Sequence, residues 1–314
     1  MMKYKLIFTL MIAAIALVSC NDDDDGGSGN NYRDRAEVAA ENQQEILTFL
    51  ETHFYRLEDN PDNANYQIMV FDTIAGENAG ETALIDSELL KSKSVSDGEV
   101  DYTLYYLQVR KGFEQEYQPT FADRVLVTYK GELLDGELFD QSMNPTNFNL
   151  ADIGDGGFIT GFIEGINEFK GASGFVSNED GTVAYNDDFG IGAVFIPSGL
   201  GYFAEPPIAS PILAYESLIF SFQLYKGIQI DHDNDGIPSY MEDANNDSYL
   251  LNDDFDGDRL ANFSDTDDDN DGVLTIDEIE VNDANGDGWI SPDEIILTDS
   301  NNDGTPDYLD PDVF

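Results

Sequence analysis

Val127-Thr128-Tyr129-Lys130-Gly131-Glu132-Leu133-Leu134-Asp135-Gly136-Glu137-Leu138-Phe139-Asp140-Gln141-Ser142 reads as two strands meeting at Asp135-Gly136. An Asp-Gly pair tolerates the backbone of a tight turn, so the β-branched and aromatic residues on either side are expected to be extended. Outward from this stretch, Tyr66–Ile74, Asp101–Arg110, Arg124–Leu133, Gly192–Ile196 and Ser217–Tyr225 are rich in the same residue types and also read as strands. One helix interrupts them, Thr160–Phe169, where Phe162, Ile163, Ile166 and Phe169 recur at helical spacing. Upstream, Asp34 precedes a helical pattern with the apolar stripe Ile46, Phe49, Leu50, Phe54 and Leu57, expected to end at Pro61. His53 lies on that helix and reads as a packed or surface residue.

The chain has 314 residues, 64 acidic and 14 basic, for a net charge of −50. Its length suits two domains, and 41% hydrophobic content is too apolar for disorder throughout. Such a charge excludes a nucleic-acid binder, which needs clustered Lys and Arg, and a polybasic lipid-binding face. It favours cation binding and solubility. The one cysteine, Cys20, closes an apolar run, Leu6–Val18, behind a lysine-bearing start. Residues 1–19 thus read as a signal peptide. Leu17-Val18-Ser19-Cys20 resembles the bacterial lipobox, which implies an acylated Cys20 and an outer-membrane lipoprotein on the periplasmic or cell-surface face. Several acyl chains would anchor stably where one is marginal. Residues 20–32 form an acidic Gly/Ser tether. It resembles the surface-export signals of some bacterial lipoproteins and serves equally as a plain spacer. No later segment approaches the roughly 20 apolar residues of a spanning helix.

Three further stretches extend the opening one: Phe158-Ile159-Thr160-Gly161-Phe162-Ile163-Glu164-Gly165, Phe195-Ile196-Pro197-Ser198-Gly199-Leu200-Gly201-Tyr202, and Ile212–Leu224. In order, spacing and residue type the four resemble the FKBP family of peptidyl-prolyl isomerases, over roughly Tyr102–Lys226. The resemblance implies an α+β fold over 101–226, an antiparallel sheet curled around the short helix Thr160–Phe169. It implies a ligand cavity containing Tyr129, Phe139, Asp140, Phe148 and Phe158, together with Ile159, Phe162, Tyr202, Ile212 and Phe220. Ile159 lies where the family offers a backbone N–H to the ligand, and Tyr202 where a phenol donates to a carbonyl. The partners implied are proline-containing polypeptide segments, and catalysis needs no cofactor. The sequence departs from the family in three places. Phe162 stands where a Trp is usual, Gly174–Phe189 is inserted, and Glu205-Pro206-Pro207 follows Tyr202. The last two are expected to reshape the cavity rim. Residues 33–100 form a helix and strand that extend or precede this domain. In the family such a segment serves dimerisation or chaperone work.

The chemistry stands without the family. Rotating an X–Pro bond crosses a barrier of about 18–20 kcal/mol, most of it amide resonance. The planar amide is the more polar form, so an apolar pocket favours the twisted one. A desolvated aromatic cup with one or two donors suffices, with no nucleophile or base.

After Lys226 the composition changes. From Asp231 onward, 27 acidic residues against Arg259 contribute −26. Residues 227–314 are therefore expected to form a separate module with little regular secondary structure. A twelve-residue frame recurs with oxygens at positions 1, 3, 5 and 12 and Gly at 6. It fits Asp231, Asp233, Asp235, Gly236, Glu242, then Asp267, Asp269, Asp271, Gly272, Glu278. It fits Asp283, Asn285, Asp287, Gly288, Glu294, and Asp299, Asn301, Asp303, Gly304, Asp310. Two weaker copies intervene: Asp243, Asn245, Asp247, Asp254 with Ser248 at position 6, and Asp254, Asp256, Asp258, Asp265 with Arg259 there. These spacings match the EF-hand calcium loop. Loop starts 11 to 16 residues apart leave no room for two helices between loops. Pro238 and Pro306 at position 8 cannot form the β-bridge of paired EF loops. The closer resemblance is to thrombospondin type 3 repeats, which implies structural calcium ions with Trp289, Ile295, Ile296 and Tyr308 packing between them. Without calcium such a tail is expected to be disordered.

Two functions follow as alternatives. One is an isomerase for X–Pro bonds of exported or surface proteins, stabilised by calcium. The other is a non-catalytic, calcium-dependent binding or adhesion lipoprotein that grips proline-containing segments.

Overall fold

Asp34 starts the first element, its carboxylate accepting from the Glu37 N–H at 2.9 Å. The computed structural model describes residues 32–60, 66–151, 158–179 and 181–314, so Cys20 and nearly all of the tether lie outside the described residues. Helix α1 (Arg35–Thr52) leads into the hairpin β1 (His53–Asp59) and β2 (Gln67–Thr73). The helix therefore stops well before Pro61, and Phe54 and Leu57 belong to β1. Two forces compete over this stretch. The Thr48 and Thr52 hydroxyls bond back to the carbonyls of Gln44 and Thr48, which weakens the last turns. Pairing Phe54 with Asp72 and Leu57 with Met69 satisfies the backbone as a ladder instead. His53 caps the helix and stacks on Phe49 at 3.9 Å, a packing role.

Next come β3 (Leu90–Ser96), β4 (Asp101–Arg110), β5 (Arg124–Leu133), β6 (Leu138–Asn149) and α2 (Thr160–Ile166). The short hairpin β7 (Phe175–Ser177) and β8 (Val183–Tyr185) precedes β9 (Gly190–Ile196) and β10 (Leu218–Ile228). Six of these strands form one antiparallel sheet in the order β3-β4-β9-β10-β5-β6. The β5–β6 turn is at Asp135-Gly136, where Gly136 has φ +86°. Strand β3 lies ahead of residue 101 and pairs along β4 from Leu90↔Leu107 to Ser96↔Asp101, so the sheet starts before the stretch that carries the family resemblance.

Alternation along β10 divides the interior into two layers. Leu218, Phe220, Phe222 and Leu224 join Phe162, Ile166 and Phe169 under α2. Ile219 and Tyr225 join Ile46, Phe49 and Leu50 of α1, Met69 of β2 and Phe195 of β9 on the opposite face. The N-terminal segment thus builds the second layer, and the apolar stripe of α1 is spent on the sheet. Helix α2 sits close to β9 because Gly161 and Gly165 face Ile196 and Val194, where any Cβ would collide. It ends at Ile166, and Phe169 follows in a turn, still buried edge-on to Phe222 at 4.9 Å.

Beyond β10 the chain forms short turns with only α3 (Thr275–Glu278) and the small pair β11 (Ile279–Val281) and β12 (Ile295–Leu297). This part docks on the sheet domain. Asp123, fully buried, accepts from Ile230 N–H at 3.0 Å and from the Tyr117 hydroxyl and Thr120 N–H, each at 2.7 Å. The Gln229 amide pairs both ways with the Ile290 backbone, Trp289 lies 5.6 Å from Tyr117, and Leu250 and Phe263 pack with Ala122 and Ala151. Among the described residues, no helix is long and apolar enough to cross a membrane.

Candidate functional site

The register β6-β5-β10 sets Gly131 beside both Asp140 and Phe220. A Cβ on Gly131 would lie 2.5 Å from the Phe139 ring, so glycine is what lets that ring lie flat over the strand. Phe139 meets Phe220 edge-on at 5.3 Å. Phe220 also touches Phe162 at 5.2 Å, and Phe162 meets Phe158 at 5.6 Å, which lies 4.3 Å from Phe148. Tyr129 closes the ring, 5.1 Å from Phe148 and 6.2 Å from Phe220. Phe162 is the buried floor, and Ile212 is buried beside it in the same cluster. Tyr129, Phe139, Phe148, Phe158, Ile159 and Tyr202 are half-buried around it. All nine apolar or aromatic cavity residues expected from the resemblance thus share one cluster.

Asp140, the tenth, is exposed at the edge and accepts from the Tyr129 hydroxyl at 2.6 Å. Burial first, then this hydrogen bond, push the Tyr129 phenol well above its usual pKa. Tyr202 is raised too, by burial and then by Asp140. Both phenols therefore stay protonated donors at neutral pH. Ile159 is the N-cap of α2, its carbonyl accepting from Phe162 N–H at 2.9 Å.

The two rim departures have different fates. The inserted hairpin β7–β8 leans on the opposite layer, with Tyr185 5.0 Å from Tyr225, so it does not reshape the cup. The segment after Tyr202 runs between Tyr202 and Ile212, both in the cup's cluster, and α1 braces it. Asn42, 2% exposed, accepts from Ser198 N–H at 2.9 Å and Ser198 hydroxyl at 2.6 Å, and donates to the Tyr215 carbonyl at 2.9 Å. The Arg35 guanidinium lies 4.4 Å from the Phe203 ring centre. Sequence reasoning missed Asn42, whose only signal was a polar residue between Val38 and Ile46 of the buried stripe.

In the acidic tail all six frames adopt one loop. The carboxylate at position 1 accepts from the N–H at position 6 in each: Asp231 from Gly236 at 3.0 Å, Asp243 from Ser248 at 2.9 Å, Asp254 from Arg259 at 3.0 Å. Asp267 does so from Gly272 at 3.2 Å, and Asp283 and Asp299 from Gly288 and Gly304 at 3.1 Å. The position-5 acids Asp235, Asp247, Asp258, Asp271, Asp287 and Asp303 accept from the N–H two residues on. Ser248 (φ 63°) and Arg259 (φ 87°) take the same left-handed turn as Gly236, so the weaker copies are built like the others despite the strain.

Ligand atoms converge within 4.8 Å in Asp231/Asp233/Asp235, Asp254/Asp256/Asp258 and Asp267/Asp269/Asp271. In the second loop Asp253, not the expected Asp254, joins Asp243 and Asp247, because Asp254 turns to the amides of its own loop. Asn245 donates to Asp253 at 3.1 Å. Asp265 is buried and accepts from Asp267 N–H, and Glu278 is pushed up to about 7 by burial and then by Asp269 and Asp271. Asn285 accepts from Asp287 N–H at 2.8 Å, and Asn301 donates to Asp310 at 2.7 Å, joining positions 3 and 12 of the last loop. Glu294 instead caps the turn at Ser291. Buried oxygens of Asp233, Asp256, Asp267, Asp269 and Asp271 have no hydrogen-bond partner, a donor set that fits a hard, oxygen-seeking cation such as calcium.

Residues 99–173 match the family model described as FKBP-type peptidyl-prolyl cis-trans isomerase, and residues 232–286 match one described as BamM C-terminal. No curated protein matches the chain. Among solved structures, the peptidyl-prolyl cis-trans isomerase of Pseudomonas syringae pv. tomato is 25% identical, over 44% of this chain and 81% of that one, with a TM-score of 0.32. FkpA from Escherichia coli is 27% identical over 46% of this chain and 53% of its own, also with a TM-score of 0.32. The family match ends at Ser173, where the inserted hairpin begins.

Proposed function

We propose that the protein is a peptidyl-prolyl isomerase acting on X–Pro bonds of exported or cell-surface proteins. What carries this reading is the closed ring of Tyr129, Phe148, Phe158, Phe162 and Phe220, with Phe139 set against Phe220, lying largely within the residues that match the isomerase family. A prolyl ring seated on Phe162 leaves its amide among aromatic faces, where the less polar twisted form is favoured over the planar one. The Tyr202 phenol and the Ile159 N–H are the donors assigned to the flanking carbonyls. Asp140, oriented by Tyr129, presents its charge at the rim toward the rotating amide. Cys20 carries the lipid anchor that keeps the enzyme at the outer membrane, and the six acidic loops bind calcium and hold the tail in its docked form.

The test is cis/trans exchange of an X–Pro peptide followed by NMR, with the chain from Arg33 onward in calcium. Acceleration that falls by roughly 10²-fold or more in Phe139→Ala or Asp140→Ala is the expected result. No acceleration by the folded protein would leave the alternative, a calcium-dependent binder that holds proline segments without turnover.

A further inference from the structure

We propose that Asp268 joins Asp235 and Glu242, positions 5 and 12 of the first frame, in a calcium site that ties the first acidic loop to the fourth. This rests on the reading of the tail as a calcium module, and what it adds to the repeating frame is Asp268. Asp268 stands at position 2 of the loop that begins at Asp267, a position the frame leaves without a ligand role.

The three side chains come from two loops separated by two others, yet their ligand atoms lie within 4.8 Å of one another. Asp235 is 1% exposed, Glu242 6% and Asp268 3%. One oxygen of each aspartate is already used. Asp235 Oδ1 accepts from Ile237 N–H at 2.7 Å, and Asp268 Oδ2 accepts from the Thr275 hydroxyl at 2.8 Å. The remaining oxygens, Asp235 Oδ2, Asp268 Oδ1 and both of Glu242, have no hydrogen-bond partner. Four buried acceptors facing one another without a donor are costly, and the one Lys or Arg beyond residue 226 is Arg259. A divalent cation with a preference for oxygen removes that cost by sitting among them. Thr275, itself buried, fixes the Asp268 carboxylate as an outer-shell partner fixes a metal ligand. An ion here joins two stretches of chain, so its binding would draw the second and third loops into the folded module.

Calcium chloride titration of the intact chain, after chelation, tests the site by calorimetry and native mass spectrometry. Asp268→Asn should lose one bound calcium, or bind it roughly ten- to hundred-fold more weakly, while the other sites persist. In chelator the variant should melt at or above the parent, because the Asn amide brings a donor to a buried cluster of acceptors that has none. In calcium it should melt below the parent. Asp277→Asn, an exposed acid outside the cluster, should change neither. An unaltered stoichiometry and affinity in Asp268→Asn overturns the site alone, as does an equal loss of melting temperature with and without calcium, which would mark a purely structural Thr275 contact. A parent chain that binds no calcium overturns the site and the module reading together. Should Asp268→Asn fail to fold, Asp268→Ser tests the site by the same two readouts, with the same outcomes supporting or overturning it.

Discussion

Gly131 shows how one missing Cβ shapes the cup. The Phe139 ring occupies the space a methyl would take, so Gly131→Ala must displace it. Isomerase activity should fall on the order of ten-fold or more. Gly136→Ala is the control. Its φ of +86° makes it strained, but nothing lies near its Cβ, so it should cost about 1 kcal/mol of stability and leave activity intact. The opposite logic applies at Arg259, a long side chain in the left-handed region that five of the six loops reach with Gly or Ser. Arg259→Gly should stabilise the calcium-bound protein by about 0.5–1 kcal/mol, since the relief of strain exceeds the extra entropy of the unfolded glycine. Thermal melts in calcium would check both.

Strand β3 and the α1–β1–β2 segment are structural partners of the sheet. Phe195 packs under Phe49 of α1 and Phe71 of β2, Ile219 shares that layer, Tyr225 lies against Tyr66 just ahead of β2, and β3 takes the free edge of β4. A fragment cut to 101–226 would expose that apolar layer and an unpaired edge. It should be aggregated or unfolded by size-exclusion chromatography and circular dichroism, whereas a fragment beginning at Arg33 and ending at Gln229 should be monodisperse. Helix α1 also sets the rim, because Asn42 holds Ser198 and Tyr215 on either side of the Tyr202 segment.

Across the whole molecule, the tail carries much of the negative charge and meets the sheet domain where Ile230 reaches Asp123 and Trp289 packs on Tyr117. Trp289 is the sole tryptophan, so its emission reports docking without ambiguity. Chelation should shift that emission to the red, and calcium should restore it. pH acts on the same balance. Burial first, with neighbouring carboxylates adding to it, pushes Asp233 up to about 8, Asp235 and Asp268 up to about 7, and Glu242 up to about 11. Carboxyls raised above their unfolded values lend stability that is fully present below the unfolded pKa and lost as pH rises through the folded one. In chelator the melting temperature should therefore fall as pH rises from about 4 through about 8. In saturating calcium that slope should disappear, since the ligands are then ionised in the folded state.

Local chemistry makes much of this legible in the sequence. The Asp135-Gly136 turn, the strands Asp101–Arg110 and Arg124–Leu133, and the acidic frame depend on residue types at short fixed spacings, and the chain folds at those places as its neighbours along the sequence dictate. The helix does not reach toward Pro61 as its stripe suggests, because Phe54 and Leu57 suit a helix face and a strand equally, and only the partner β2 breaks the tie. Asn42, Asp253 and Asp268 have no spacing to announce them. Their roles exist because a buried oxygen or amide must face a group brought from another segment, and which segment that is was decided by tertiary packing alone.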